Sequence, residues 1–195
     1  AHYTKRTGNR VRRVNAVLGH PQIPWMLANI DREVVGAPDV QILECKTAGM
    51  NGAKLWKDGV PEYIQLQVMH QLAVTGKQAA DVAVLICGQE LQIHRIERDE
   101  TMISQLIALE EQFWALVKSD TAPSADASDS AATALRCLYP QDSGADIDLS
   151  EDEAASSQFA QLLQVRERLT ACEEQEALLK HQIQQQMGTA SFARF

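Results

Sequence analysis

At 195 residues, 45% of them hydrophobic, the chain is long enough for one packed domain and an appendage. No apolar run approaches the ~20 residues of a membrane span, and no stretch reads as a signal peptide. The net charge of −8 excludes a uniformly basic nucleic-acid binder, but it is unevenly spread: residues 1–98 hold 12 Lys and Arg against 9 Asp and Glu, residues 99–195 hold 6 against 17. A nucleic-acid surface is therefore expected in the first half, with the acidic half turned to solvent or a partner. Four cysteines, at 45, 87, 137 and 172, lack CxxC spacing. Two lie in apolar, strand-like runs, which predicts buried, reduced thiols in a cytoplasmic protein.

In chain order, residues 1–18 read as the end of a helix, a stop at Thr7-Gly8, and a short strand through Val11, Val14 and Val17. Lys5, Arg6, Arg10, Arg12 and Arg13 give a local basic excess, and Arg12 and Arg13 are candidate phosphate contacts; the alternative is a solvated face. The loop from His20 to Pro24 follows, its histidine read as a turn residue in preference to a metal ligand. Strand formers from Trp25 to Val35 then run into Gly36-Ala37-Pro38-Asp39, and an apolar run resumes at Val40, which predicts a β-hairpin. With the turn centred between Ala37 and Pro38, Val35 faces Val40, Glu33 faces Ile42 and Asp31 faces Glu44. Directly opposed Cβ atoms lie roughly 4.5–5.5 Å apart, and two carboxylates that close repel unless something positive lies between them. Alternation adds Lys46 to the face of Glu44. The economical explanation is a divalent metal held by Asp31 and Glu44, with Lys46 beside it.

Thr47 to Gly59 reads as a mobile loop whose Lys54, Trp56 and Lys57 suit a nucleic-acid strand; the alternative is a surface loop that packs Trp56 into a groove. Pro61-Glu62 opens a helix with Pro at its first position, and Gly76 closes it. Tyr63, Gln67, His70, Gln71 and Val74 share one face of this largely buried helix. A buried glutamine needs a partner, since an unsatisfied amide costs about 1–3 kcal/mol. Gln67 would find one in a water or phosphate at the metal site, or else in backbone; His70 reads as a helix-face histidine. Asp81 to Ile86 has the continuous apolar character of a central strand. Leu91 to Ile96 alternates, with His94 and Arg95 on a surface edge. Asp99 to Lys118 is an amphipathic helix with Glu110-Glu111 on its solvated face.

Residues 119–134, rich in Ser, Ala, Asp and Thr, read as a linker between a 1–118 core and a 135–195 segment. Asp142, Asp146 and Asp148 are not in register for a calcium loop. A helix from Glu151 to Met187 places Leu162, Val165, Leu169, Cys172, Glu176, Leu179 and Ile183 three and four apart, a heptad seam with one polar defect. Such an arm fits the body of the molecule or a partner arm.

Asp31, twelve residues, then Glu44-Cys45-Lys46 resembles the D…ExK signature of the restriction-endonuclease-like metal nucleases. With Met26-Leu27-Ala28-Asn29-Ile30-Asp31-Arg32, Leu43-Glu44-Cys45-Lys46-Thr47-Ala48, Tyr63-Ile64-Gln65-Leu66-Gln67-Val68 and Val74-Thr75-Gly76, residues 1–118 resemble the phage-type recombination exonucleases, the YqaJ and lambda exonuclease family. The resemblance implies an α/β fold: a restriction-endonuclease-like core, a mixed central sheet flanked by helices, with a long C-terminal helical arm. It implies that Asp31, Glu44 and the backbone carbonyl of Cys45 bind Mg²⁺ or Mn²⁺, that Lys46 orients or deprotonates the attacking water, and that Gln67 positions it. Hard oxygen donors favour Mg²⁺ over zinc, and a lysine beside a dication gives up its proton more readily, so it can act as a base.

The activity implied is 5′→3′ exonucleolytic hydrolysis of duplex DNA in phage-type homologous recombination. The implied partners are double-stranded DNA, a single-strand annealing protein and further copies of the chain as a homo-oligomer, in the cytoplasm of a bacterial host of phage or prophage origin. Relatives carry an upstream helix with an acid near the metal, and they continue past the segment matching Gly188, so an incomplete chain is expected. The cysteines lack the grouping of iron–sulfur relatives. Two other readings are an endonuclease or resolvase of the same fold, and a non-enzymatic assembly or adaptor protein in which Asp31, Glu44 and Lys46 form a surface ion triad.

Overall fold

A computed structural model of the chain describes residues 2–195. Contacts divide it into two compact units, Ala1–Ser124 and Ala125–Phe195. The first unit opens with α1 (His2–Thr7) and β1 (Arg10–Arg13), followed by the two-residue strands β2 (Leu18–Gly19) and β3 (Leu27–Ala28). Next come β4 (Arg32–Val35), β5 (Ile42–Ala48), α2 (Met50–Ala53), a 3₁₀ turn over Lys54–Trp56, and α3 (Glu62–Thr75). β6 (Ala79–Ile86), β7 (Glu90–Glu97) and α4 (Glu100–Lys118) complete it. The second unit holds α5 (Asp129–Leu138) and α6 (Glu153–Met187).

Five strands form one mixed sheet in the order β1-β4-β5-β6-β7; only β5 and β6 run parallel, joined through α3. This crossover explains the unbroken apolar run of β6, whose residues from Ala79 to Val84 are buried. The helix boundaries follow local chemistry. Gly76 takes a left-handed φ of 67° and returns its N–H to the Leu72 carbonyl, as a terminating glycine can. At the start of α4 the Asp99 carboxylate accepts from the N–H groups of Thr101 and Met102.

Alternation along β5 divides the core. On one face Ile42, Val82 and Val84 pack with Ile64, Val68 and Leu72 of α3 and Ile103 of α4; on the other, Leu43 and Ala83 pack with Tyr3, Val34 and Val40.

The hairpin register stands as expected, with Glu33 paired to Ile42 and Arg32 to Leu43. Its first strand is divided, however. β3 pairs with β2 in a separate two-stranded ribbon, while β4 pairs with β1 and β5, so the chain changes sheets at Asn29–Asp31. The strand expected through Val17 stops at Arg13, and Val14 packs against the core instead. The segment after β5 is folded: Trp56 is buried, its ring centroid 5.9 Å from that of His94, so it is core and not a platform for a base. Pro61 occupies the cap of α3, one place before the expected position. Within the stretch read as a linker, Ser128 caps α5 by accepting from the Ala131 N–H.

All four cysteines are free and exposed, whereas burial was expected from the two in strand-like runs, Cys45 and Cys87. Cys45 lies on the face of β5 away from Glu44, Cys87 sits past the end of β6 in a turn with φ of 49°, and α5 and α6 bury no residue.

Arg95 is exposed on the edge strand β7, as read, and from there it also holds a buried acid. It lies opposite Asp81 in the β6–β7 register, and its Nε donates to Asp81 Oδ1 at 2.5 Å. Tyr3 Oη donates to Asp81 Oδ2 at 2.6 Å, and the Arg95 guanidinium reaches Asp39 Oδ2 at 3.2 Å. A carboxylate only 3% exposed in the middle of the sheet is thus fully partnered. Burial raises the Tyr3 phenol above its ordinary range, opposed by a hydrogen bond from Asn9 and reinforced by Asp81. A phenol raised on folding contributes stability that is complete below its unfolded value of about 10 and is lost as pH rises through the folded value. Urea midpoints should therefore fall more steeply between pH 9 and pH 11 for wild type than for Tyr3→Phe; equal slopes would remove Tyr3 from the alkaline transition.

Candidate active site

Glu44 stands mid-way along β5, where the strand is covered by α3, and is only 4% exposed. A buried carboxylate requires donors, and three side chains supply them. Lys46 Nζ lies 2.7 Å from Glu44 Oε1, Gln67 Nε2 donates to the same oxygen at 2.8 Å, and Gln71 Nε2 donates to Oε2 at 2.9 Å. Lys46 Nζ also donates to Gln67 Oε1 at 2.9 Å, which closes a ring of Glu44, Lys46 and Gln67. The ring fixes the Gln67 amide, because a lysine can only donate to it and a carboxylate can only accept from it.

Asp31 enters from the other strand of the hairpin. β4 begins only at Arg32, and the Asp31 side chain takes over from the backbone ladder: its Oδ2 accepts from the Cys45 N–H at 2.8 Å. Asp31, Glu44, Cys45, Lys46 and Gln67 are thereby brought together, through one strand, one hairpin partner and one helix turn.

Gln71 is the participant that sequence reasoning missed. Of the two glutamines on that face of α3, Gln71 is buried and Gln67 exposed, the reverse of the expected weighting. Gln71 also donates to the Asn29 carbonyl at 3.0 Å, tying the segment before Asp31 to α3. The available signal was its place one turn beyond Gln67 on the same face.

His70 bridges three elements. Its Nε2 donates to the Leu27 carbonyl at 3.0 Å, and its Nδ1 lies 2.6 Å from Glu110 Oε1. Glu110 is therefore not on a simple solvated face of α4; α4 packs its side against α3 there. His20 is a turn residue, its Nδ1 accepting from the N–H groups of Gln22 and Ile23. Although Cys45 is exposed, partial desolvation of its sulfur, and then the Asp31 charge, raise the thiol above its ordinary value, which makes it a poor nucleophile. Arg12 pairs with Glu33 at 2.5 Å, and Arg13, Lys54 and Lys57 are exposed. Among the described residues, no hydrogen bond or ion pair joins these four cations to the Glu44 ring.

Gln67 and Gln71 line a groove of about 490 Å³ between α3, β3 and α4, with Asn29, Tyr63 and His70 on its walls. As a metal site, Asp31, Glu44 and the Cys45 carbonyl form an all-oxygen donor set. Among the described residues, no group of three or more His, Cys, Asp or Glu gathers. A cation here would keep several waters, the habit of Mg²⁺. Gln71 Oε1 is buried without a hydrogen-bond partner, an acceptor suited to such a water. The residues fit a hydrated magnesium-like ion.

Residues 1–78 match the family model described as a YqaJ-like viral recombinase domain. The uncharacterized protein YqaJ of Bacillus subtilis (strain 168) is 35% identical over 192 residues, 96% of this chain. The likeness to a YqaJ-like viral recombinase domain is thus carried by residues 1–78. The chain spans 59% of the length of the Bacillus relative. Among solved structures, LHK-Exo in complex with dAMP aligns with a TM-score of 0.50 and 24% identity, covering 70% of this chain and 66% of that one. A second structure of LHK-Exo, an alkaline exonuclease from Laribacter hongkongensis, aligns with a TM-score of 0.45 and 26% identity, over 61% of this chain and 66% of that one. The first of these likenesses shows the fold alone: the chain shares an α/β architecture with LHK-Exo. The matched residues 1–78 include Asp31, Glu44, Cys45, Lys46 and Gln67. No helix of the described residues is long and apolar enough to cross a membrane.

Proposed function

We propose that this chain is a metal-dependent deoxyribonuclease of phage-type homologous recombination, which hydrolyses phosphodiester bonds of duplex DNA from the 5′ end. The observation that carries the reading is the closed ring of Glu44, Lys46 and Gln67, with Asp31 on the adjoining strand. The likeness to a YqaJ-like domain and the fold shared with LHK-Exo support it. Asp31, Glu44 and the Cys45 carbonyl would hold Mg²⁺ or Mn²⁺. A divalent cation bound there supplies a Lewis acid for the phosphoryl oxygens and a more acidic water.

The remaining work falls to the chain itself. Lys46 Nζ, anchored by Gln67 Oε1 and Glu44, is placed to accept or relay a proton from the attacking water. Gln67 fixes the direction of Nζ and offers its amide to a water or phosphate oxygen from its exposed position. Gln71 holds Glu44 by its second oxygen, so the carboxylate cannot rotate away from the site. Arg12, Arg13, Lys54 and Lys57 would meet DNA phosphates around it. A single-strand annealing protein is the proposed partner for the product, in the cytoplasm of a bacterial host.

The test is digestion of linear and covalently closed circular duplex DNA, with Mg²⁺ and with excess chelator. Linear DNA alone should disappear, only with the metal, and a 5′-labelled strand should shorten from its labelled end. Nicking of the closed circle would replace this reading with an endonuclease or resolvase. Intact DNA in every lane would favour an assembly or adaptor protein.

A further inference from the structure

Of the two carboxylates at the site, Glu44 is held by a strand and three side chains, whereas Asp31 stands outside any strand. β3 ends at Ala28 and β4 begins at Arg32, so Asn29–Asp31 cross from one sheet to the other. Ile30 anchors this crossing by burying its side chain in the core. A single buried side chain leaves the peptide planes on either side free to turn, and the direction of the Asp31 carboxylate depends on them.

Two neighbours on α3 hold those peptide planes. Gln71 Nε2 donates to the Asn29 carbonyl at 3.0 Å, and His70 Nε2 donates to the Leu27 carbonyl at 3.0 Å. His70 is itself oriented by a third element. Its Nδ1 lies 2.6 Å from Oε1 of Glu110 on α4, which sets the direction in which Nε2 points. A carboxylate and a carbonyl both accept, so the ring serves the two partners by carrying a proton on each nitrogen. Each side chain of the pair is only a quarter exposed, and Glu110 Oε2 is sealed from water without a hydrogen-bond partner. A carboxylate that gives up that much hydration for one contact differs from a surface pair such as Lys180–Glu176, whose members are both well exposed.

We propose that His70 is a positioning residue of the candidate active site: oriented by Glu110, it ties the backbone leading to Asp31 against α3. Resting on the reading of Asp31 as a metal ligand, this role makes a relay that runs from Glu110 through His70 to the Leu27–Asp31 segment. Neither Glu110 nor His70 touches the cation. Their effect is to keep the Asp31 carboxylate where its Oδ2 meets the Cys45 N–H.

Calorimetric titration of the full chain with Mn²⁺ alone, beside urea unfolding of the same variants, tests this. Partners that orient a metal ligand from outside contribute about 10- to 100-fold in affinity. His70→Ala and Glu110→Ala should therefore each weaken Mn²⁺ binding about tenfold in protein shown to be folded by circular dichroism. Glu110→Gln should keep near wild-type affinity, because its amide can donate to Nδ1 of a neutral ring while Nε2 still donates to Leu27. Asp31→Asn should lose affinity at least as far as either alanine variant. A purely structural contact would lower the urea midpoint of Glu110→Ala and leave the Mn²⁺ affinity of the folded protein unchanged. That result, with Asp31→Asn still impaired, would overturn the role of His70 and leave the metal reading standing. Glu110→Gln as weak as Glu110→Ala would overturn the orientation of the ring by Glu110. A wild type that binds no Mn²⁺, or Asp31→Asn at wild-type affinity, would take the metal away from Asp31 and the positioning role with it.

Discussion

Lys46→Ala is expected to lower the rate of phosphodiester cleavage by at least ~10²-fold while leaving the fold intact, the usual contribution of one positioned proton-transfer group. The fold should survive because Gln67 and Gln71 still donate to both oxygens of Glu44 when the ammonium is gone. A second substitution separates two roles for the cation. Lys46→Arg keeps a positive charge but replaces the group with one that does not release its proton at working pH. If Nζ takes a proton, Lys46→Arg should be as inactive as Lys46→Ala; if it only neutralises charge, Lys46→Arg should retain most activity. Glu44→Gln should also abolish cleavage, through a different route. It removes one of two carboxylates offered to the cation, so calorimetric titration with Mn²⁺ should show binding lost in Glu44→Gln and kept in Lys46→Ala. Full activity in both variants would remove the Glu44 ring from the chemistry.

The largest expected effect on stability lies on the other face of the sheet. Arg95→Met leaves the Asp81 carboxylate, 3% exposed, with only the Tyr3 hydroxyl for company. Removing the partner of a buried carboxylate leaves its charge unmatched, and because Arg95 itself is one third exposed the expected cost is about 2–3 kcal/mol, below that of a fully buried pair. It would also release the Asp39 turn, which Arg95 holds through both the carbonyl and the carboxylate. Equilibrium urea unfolding measures the loss. A paired replacement, Asp81→Leu with Arg95→Met, should recover most of it, since the penalty comes from the orphaned charge and not from the absence of the pair. Asp81 and Glu44 point to opposite faces of neighbouring strands, so cleavage per folded molecule should be unchanged in Arg95→Met. A destabilisation under about 1 kcal/mol would place this network with exposed ion pairs of little consequence.

How much of the site could be read from the chain depends on separation along it. The Gly36–Asp39 turn fixed the pairing of Glu33 with Ile42, because a short turn leaves one register in which both strands keep their apolar faces inward. From that register follow the opposition of Asp31 and Glu44 and the shared face of Glu44 and Lys46. Gln67 and Gln71 were legible as neighbours on one helix face, but which of them would be buried was not. That depended on where α3 lies across β5, and it was the second that came to rest against Glu44 Oε2.

Contacts between distant elements left no local mark. Tyr3 and Asp81 are 78 positions apart, and Arg95 in an alternating strand resembles any surface arginine until β6 is laid beside it. Trp56, in a segment rich in glycine and lysine, has the composition of a loop, yet the core takes its ring because burying so large an apolar surface outweighs local preference. The sequence by itself determined the period of each element, the hairpin register and the identity of the charged groups, all properties set within a dozen residues. Tertiary structure alone decided which polar groups are sealed from water and what satisfies them, because burial belongs to the meeting of elements and not to any one of them.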